Sequence, residues 1–600
     1  MSGMAAKVAS ANKAQRKEGI ADSQTIIRPF GNVENFQYHL IESRFVALVT
    51  VSARYIIPAH LYSPDPSSST PWTEHRRERV KSHIEEAIAI TIISNPALRI
   101  AVAKTEAKRP SWVNVGELDL ANHVEWEELT TSSHRSYEDI TNQHILKRAD
   151  DVFPRDKIGT VPRWRVLCLL ALGSMSPFVD VIFEYNHTLM DGTSGKLFHQ
   201  NLLHFLNDNS SSLSHSPTTH YPLLVKNRHL TIPHTSPPLP PPLEKLVKLT
   251  LTPQFAISTA WKGLFQPQYL SNRSSTLARW APIRGEYTST LRIFDIDAAT
   301  LKTVVGRCRE KKTTLTGLFH GLFLVSLAVR LGSGGSVSDS RAFLCATPIS
   351  MRPYIPQQNE PGSVLKDPGN IMGDLVSMTT HKFSVDVVKQ IRKAFASPQP
   401  ASPSPSPAEL QPPSPAESPS LTPSLTPLIW QAASQIRSDI TAYQSHATRD
   451  NIVGLMDLVS DWRAHFHHEA AKKMRALSWC VTNVGVFDGG LAPQQEKKKA
   501  PGEDNDNSNN GHHHNDDNTN GATEPRPESW TVNRLVFAVT PELTGAAFTL
   551  AAISVRDGAL CVCVSWQDCV VDTELGDAVV RDLQRWLMII GQGGNQEKEV

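Results

Sequence analysis

The chain has 600 residues, 40% of them hydrophobic and 20% charged, with 60 Lys and Arg set against 59 Asp and Glu. That length exceeds what one hydrophobic core supports, so two large domains are expected. The balanced charge supplies no electrostatic footprint for nucleic acid, and no run of about 18 apolar residues is present to span a membrane.

Residues 1–27 read as a flexible N-terminus, and the polar stretch Ser2–Gln24 lacks the apolar centre of a signal peptide. A first domain is expected over 28–214. In it Phe45–Ile57 reads as a strand. Arg79–Ser94 has helical periodicity, with Val80, Ile84, Ala87, Ile88 and Ile92 on one side. Trp164–Leu172 and Phe178–Tyr185 read as two strands joined by the turn Gly173–Pro177. Ser194–Leu206 reads as a helix. A crossover linker follows over 215–260, Pro-rich from His215 to Pro242.

The second domain is expected over 261–593. Its strands are Glu286–Ile296, Arg341–Ile349, Leu535–Val539, Ala547–Arg556 and Ala559–Trp566. Its helices are Ala298–Arg309, Thr316–Leu331 and Thr573–Ile590, the last with Leu575, Val579, Leu583 and Leu587 spaced for one face. Two tracts interrupt it: a Pro/Ser segment at 397–427, and an Asn-, Asp-, Gly-, Lys- and His-rich segment at 494–529. Neither composition can bury a core, so both are expected to be disordered. The resulting fold class is α/β, with mixed α+β sheets and covering helices in two halves.

The seven cysteines are odd in number and mostly lie in apolar runs, as reduced thiols of an intracellular protein do. Cys561 and Cys563 do not have zinc-knuckle spacing. The run His512–His514 sits in a solvated low-complexity tract, and no metal is expected. The expected location is the cytoplasm, with attachment to a lipid-droplet or endomembrane surface left open. The Leu243–Phe265 stretch, with Lys245, Lys248 and Lys262, has two readings: an amphipathic lipid-surface element, or packing at the domain junction.

A His followed four positions on by Asp occurs five times: at His187, His204, His446, His512 and His513. Only His187 follows a strong strand, and only its partner Asp191 is followed at once by glycine. An imidazole at a strand end, with a pKa near working pH, suits removal of a hydroxyl proton during acyl transfer. No acyl-enzyme is required if donor and acceptor are held together. Gly192 would clear a path for a ligand close to the backbone. For Asp191 two readings stand: a buried ion pair fixing the loop, or a cap on the helix that begins near Ser194.

The segment Tyr185-Asn-His-Thr-Leu-Met-Asp-Gly-Thr-Ser-Gly195 resembles the HxxxDG motif of CoA-dependent acyltransferases with the chloramphenicol acetyltransferase-like fold. Within them the chain is most similar to fungal and yeast alcohol acetyltransferases. Four further blocks carry the likeness: Arg28–Glu34, Ile88–Arg99 ending Asn-Pro-Ala-Leu-Arg, Thr313-Thr-Leu-Thr316, and Thr482-Asn-Val-Gly485. Asn186 stands where condensation domains of peptide synthetases carry a second His, and Asn95 replaces the usual His before Pro96.

The resemblance implies two similar domains with an active-site tunnel between them and His187 near its middle. It implies acetyl-CoA, or another acyl-CoA, as co-substrate, a small-molecule alcohol as acceptor, no tightly bound cofactor, and a monomer. It also implies that Asp191 pairs with an arginine of the second domain, for which Arg352 is the candidate. Thr482, Asn483 and Ser478 are candidates for oxyanion donors or tunnel lining, against a turn or strand-edge reading. Trp280 and Trp479 are candidates for the tunnel wall, against a core reading. The basic run Arg309–Lys312 stands as a coenzyme A phosphate contact or a solvated helix end. Transfer of an acetyl or short acyl group to a hydroxyl, with His187 as general base, leads. N-acyl or carrier-bound transfer, and a non-catalytic acyl-ligand or partner-binding role, are the alternatives.

Overall fold

Two eight-residue strands, Val49–Ile56 and Phe178–Tyr185, are buried at every position, as strands covered on both faces must be. They pair antiparallel, Val49 opposite Tyr185 and Ile56 opposite Phe178. The computed structural model describes residues 26–62, 73–129, 135–154, 159–174, 176–212, 225–261, 274–332, 342–357, 360, 365, 367–396, 419–472, 474–490 and 528–592.

The first sheet runs in the order Thr531–Val539, Val49–Ile56, Phe178–Tyr185, Trp164–Ala171, Val124–Glu128. Only Val124–Glu128 lies parallel to its neighbour. The second sheet runs Ser289–Ile296, Leu560–Gln567, Phe548–Val555, Trp479–Phe487, Phe343–Ser350, Val376–Phe383. In it Trp479–Phe487 is parallel to both neighbours. The mixed-sheet, two-part architecture is therefore the one expected.

Helices cover the sheets. Glu74–Ser94 packs on Gly192–Ser212, which in turn lies on Val49–Ile56. In the second half Leu315–Arg330 packs against Thr426–Gln444 and Thr573–Gln592. Its residues from Gly317 to Val329 are all buried, as in a helix apolar all round. Gly317 and Gly321 allow the close helix approach: a Cβ at either would stand 2.5 Å from a carbonyl oxygen of Ala433 or Ile429. Among the described residues no single helix is long and apolar enough to cross a membrane.

Several boundaries differ from the sequence expectation. Ile26 and Ile27, assigned to the flexible N-terminus, belong to a strand, Ile26–Pro29, paired with Ser111–Asn114. The linker contributes His229–Thr231, which pairs with Glu117–Asp119 of the first half. Residues 419–427, assigned to the Pro/Ser tract, are packed. The Pro419 carbonyl accepts a hydrogen bond from Trp586 Nε1 (3.0 Å), Leu425 is fully buried, and a helix starts at Thr426. The rest of that tract, 397–418, and 494–527 of the second lie outside the described residues.

The largest difference concerns Thr531–Val539. Chain order puts it in the second domain, yet it completes the first sheet beside Val49–Ile56. The chain then crosses back, so that Phe548–Val555 enters the second sheet.

Candidate active site

The strand Phe178–Tyr185 and the helix Gly192–Ser212 are joined by a tight loop that carries His187. The Asn186 side chain accepts from Thr188 N (3.0 Å), and the Leu189 amide donates to Asn186 O (3.0 Å), closing the turn. Asp191 ends it. Its Oδ1 accepts from Ser194 N at 2.9 Å, the geometry of a helix N-cap.

Asp191 is also ion-paired, so the two readings of this residue coexist. Arg352 Nη1 donates to Asp191 Oδ2 (2.7 Å) and Arg352 Nη2 to Oδ1 (3.1 Å), a bidentate fork between the two halves of the chain. The amide of Leu375 adds a bond to Oδ2 (3.1 Å). Arg352 is buried, and its other donors reach Ile371 O and Ser194 Oγ. Burial works against the Asp191 carboxylate, but the Arg352 guanidinium and the Ser194 donors outweigh it and hold its pKa below the ordinary value.

This network places a residue that sequence reasoning missed. The segment Gly373–Leu375 is stitched to the histidine loop: Asp191 N donates to Gly373 O (3.2 Å), Gly373 N meets Ser194 Oγ (3.0 Å), and Leu375 N meets Asp191. Between them Asp374 is delivered to His187. Its Oδ2 stands 3.7 Å from His187 Nδ1, within ion-pair range though beyond hydrogen-bond reach. The Asp374 side chain is fully buried, and neither of its oxygens has a hydrogen-bond partner among the described residues. Burial disfavours the charged imidazole, yet the Asp374 carboxylate overcomes this and the His187 pKa is raised. Burial pushes the Asp374 carboxyl up to about 6, with the His187 charge pulling the other way. No spacing links position 374 to position 187. The one local signal is a lone carboxylate in the apolar run Ile371-Met-Gly-Asp-Leu-Val376.

Beside His187 opens a cavity of about 550 Å³ with walls from both halves. Apolar residues such as Phe36, Leu40, Trp462 and Phe537 dominate, with Thr482, Cys480 and Glu542 among the polar ones. Such a space suits a small organic ligand.

The other candidates separate. Thr482 lines this cavity with His187, while Asn483 and Ser478 do not. Asn483 instead shapes a bulge, its Oδ1 accepting from Gly485 N (2.9 Å) where Gly485 takes φ +77°. Ser478 is buried, with its backbone bonded to Leu344 and Phe548. Trp479 stacks on Phe323 and Phe383 in the second core, and Trp280 packs on Phe548, so neither walls the cavity. Gly192 does border the cavity, but what its missing side chain makes room for is protein. A Cβ there would stand 2.6 Å from Phe537 Cζ and 3.1 Å from Val484 Cγ1. Arg309–Lys312 is an exposed helix end. Among the described residues no cluster of three His, Cys, Asp or Glu side chains could hold a metal, and His512–His514 lie outside them.

Two mixed sheets with a histidine loop clasped between them define a two-domain fold of the chloramphenicol acetyltransferase type. The solved trichothecene 15-O-acetyltransferase TRI3 from Fusarium sporotrichioides superposes with a TM-score of 0.58 at 12% identity, covering 94% of this chain and 95% of that one. At that identity the likeness speaks for the fold alone.

Sequence comparison narrows the class. The alcohol acetyltransferase family model matches residues 116–365. A probable alcohol acetyltransferase FCK4 of Fusarium pseudograminearum is 23% identical over 533 residues, covering 87% of this chain and 89% of its own length. A probable alcohol acetyltransferase crmB of Aspergillus fumigatus is 23% identical over 437 residues, covering 71% and 72%. Over these stretches the chain is similar to fungal alcohol acetyltransferases.

Proposed function

We propose that this protein transfers an acetyl or short acyl group from acyl-CoA to the hydroxyl of a small-molecule alcohol, with His187 as general base. The observation that carries the reading is the cavity of about 550 Å³ with His187 in its wall and Asp374 behind it, 3.7 Å from Nδ1. With Nδ1 turned to Asp374, Nε2 is the nitrogen left for the acceptor.

The acceptor oxygen attacks the thioester carbonyl carbon as its proton passes to Nε2. The tetrahedral intermediate collapses, the carbon–sulfur bond breaks, and the departing thiolate takes that proton from the imidazolium. Ester and free coenzyme A result, with no acyl-enzyme and no metal. Among the hydroxyls on the cavity wall, Thr482 is the candidate donor to the oxyanion. Asp191, Arg352 and Gly192 act structurally: the first two fix the loop that holds His187, and the third lets Phe537 close over it.

The test is acceptor-dependent release of free thiol from acetyl-CoA across a panel of alcohols. His187→Ala is expected to lower it by about 10²- to 10⁴-fold, the range of general-base catalysis. Release that persists in His187→Ala, or that ignores the acceptor, removes the reading.

A further inference from the structure

The chain crosses between the two sheets through 540–547, and this crossing segment is held from both sides. Thr540 Oγ1 accepts from Ala47 N and Leu48 N (3.1 Å each), and Leu543 N donates to Phe45 O (2.6 Å). From the other side Arg475, only 1% exposed, donates to Leu543 O (3.3 Å) and Gly545 O (3.1 Å). The segment is thereby a rigid part of the cavity wall.

At its centre Glu542 faces the same cavity as His187. The carboxyl folds back over Gly545, where a Cβ would stand 2.9 Å from Oε2, so glycine is what leaves it room. Thr544 Oγ1 donates to Oε1 (3.1 Å), and no donor among the described residues reaches Oε2. Arg475 does not pair with it: the guanidinium is taken up by the carbonyls of Ala281, Leu543 and Gly545 and by Gln567 Oε1. Burial pushes the carboxyl up, while Thr544, Arg475 and His187 favour its charged form. A carboxylate in an apolar chamber needs donors for its lone pairs. This one has a single hydroxyl, and its open oxygen belongs to the space the acceptor fills.

We propose that Glu542 is the second anchor of the acceptor, which is an apolar skeleton carrying two polar groups: the hydroxyl acylated at His187, and a further O–H or N–H that donates to Glu542. The proposal rests on the acyltransfer reading of His187 and names its substrate class. A short alcohol fills little of about 550 Å³. A polyfunctional alcohol of ring-system size fills the chamber and satisfies both anchors.

The experiment measures binding by calorimetry to wild type, Glu542→Leu and Glu542→Gln. The probes are two matched pairs: menthol with its diol counterpart bearing a second hydroxyl on the isopropyl carbon, and a saturated steroid diol hydroxylated at both ends with the mono-alcohol lacking one of them. Wild type is expected to hold at least one diol about ten-fold or more tighter than its mono-alcohol, the scale of a hydrogen bond to a charged group. Glu542→Leu is expected to erase that preference with mono-alcohol binding kept, and Glu542→Gln to retain part of it. Equal binding within both pairs by wild type, or a preference that survives in Glu542→Leu, overturns the proposal. If the Leu variant binds neither member, the Gln variant decides: a preference undiminished from wild type counts against the anchor. Thiol release from acetyl-CoA is followed in parallel. Discrimination in binding without turnover would remove the acyltransfer reading and leave the anchor standing; turnover without discrimination would do the reverse.

Discussion

His187 and Asp374 face each other across 3.7 Å in a place where neither charge is welcome alone. In the proposed mechanism the working base is the neutral imidazole, so the rate is expected to rise with pH through the raised His187 value. Replacing Asp374 by Asn removes the charge that raises it. The acid limb of the kcat/KM profile is then expected to move to lower pH by about one unit or more, with a lower plateau because the ring is less basic and less well oriented. A residue that only filled space would leave that limb where it is. Stability follows with a worked sign. The folded Asp374 carboxyl titrates at about 6, above its ordinary 3.8, so the folded chain holds that proton more tightly. Wild type therefore loses this contribution as pH rises through that window, and the Asn variant does not. Both are read from pH–rate profiles and from denaturant midpoints taken at several pH values. His187 and Asp191 were legible because four-residue spacing and a following glycine are local. Asp374 and Glu542 were not, because each reaches the site through folding of distant segments, and a single carboxylate in an apolar run has no spacing to betray it.

At the level of elements, the helix Gly192–Ser212 begins against the crossing strand Thr531–Val539, and the fit is close enough to test. Gly192→Ala puts a methyl 2.6 Å from Phe537 Cζ. We expect it to cost about 1–3 kcal/mol, the range for overpacking, and Phe537→Leu to recover part of the loss in the double variant, by urea denaturation. Long apolar strands such as Phe178–Tyr185 were readable from composition. Others were hidden for physical reasons. Val376–Phe383 alternates buried and exposed positions through Ser377, Thr379, Thr380, His381 and Lys382, which dilutes its apolar signal. Trp479–Phe487 carries the Asn483–Gly485 bulge, which breaks the period of two. The helix Thr426–Gln444 starts with Pro427 in its first turn, directly after a Pro/Ser tract, so its first turn read as part of the tract.

Over the whole molecule, the two halves are joined by more than adjacency. Asp191 belongs to the first half and Arg352 to the second, and both are buried. Arg352→Leu leaves the Asp191 carboxylate in the interior with its charge uncompensated. That is expected to cost about 3–5 kcal/mol, seen as a lower denaturation midpoint together with loss of turnover. Arg352→Lys should not restore it fully, since an ammonium cannot form the fork. The two-part architecture followed from length and from the alternation of strand and helix patterns. Which sheet receives Thr531–Val539 did not, because its buried run Leu535–Ala538 fits either sheet equally.

That strand imposes a timetable on synthesis. Ile56 and its partner Thr531 are 475 residues apart. At about 5–20 residues per second, the first sheet waits roughly 25–95 s for its last strand after Val49–Ile56 has emerged. Throughout that interval one side of a strand destined to be buried at every position is an open template for pairing. The ribosome-bound chain thus holds a first half whose edge is closed only once Thr531–Val539 has emerged.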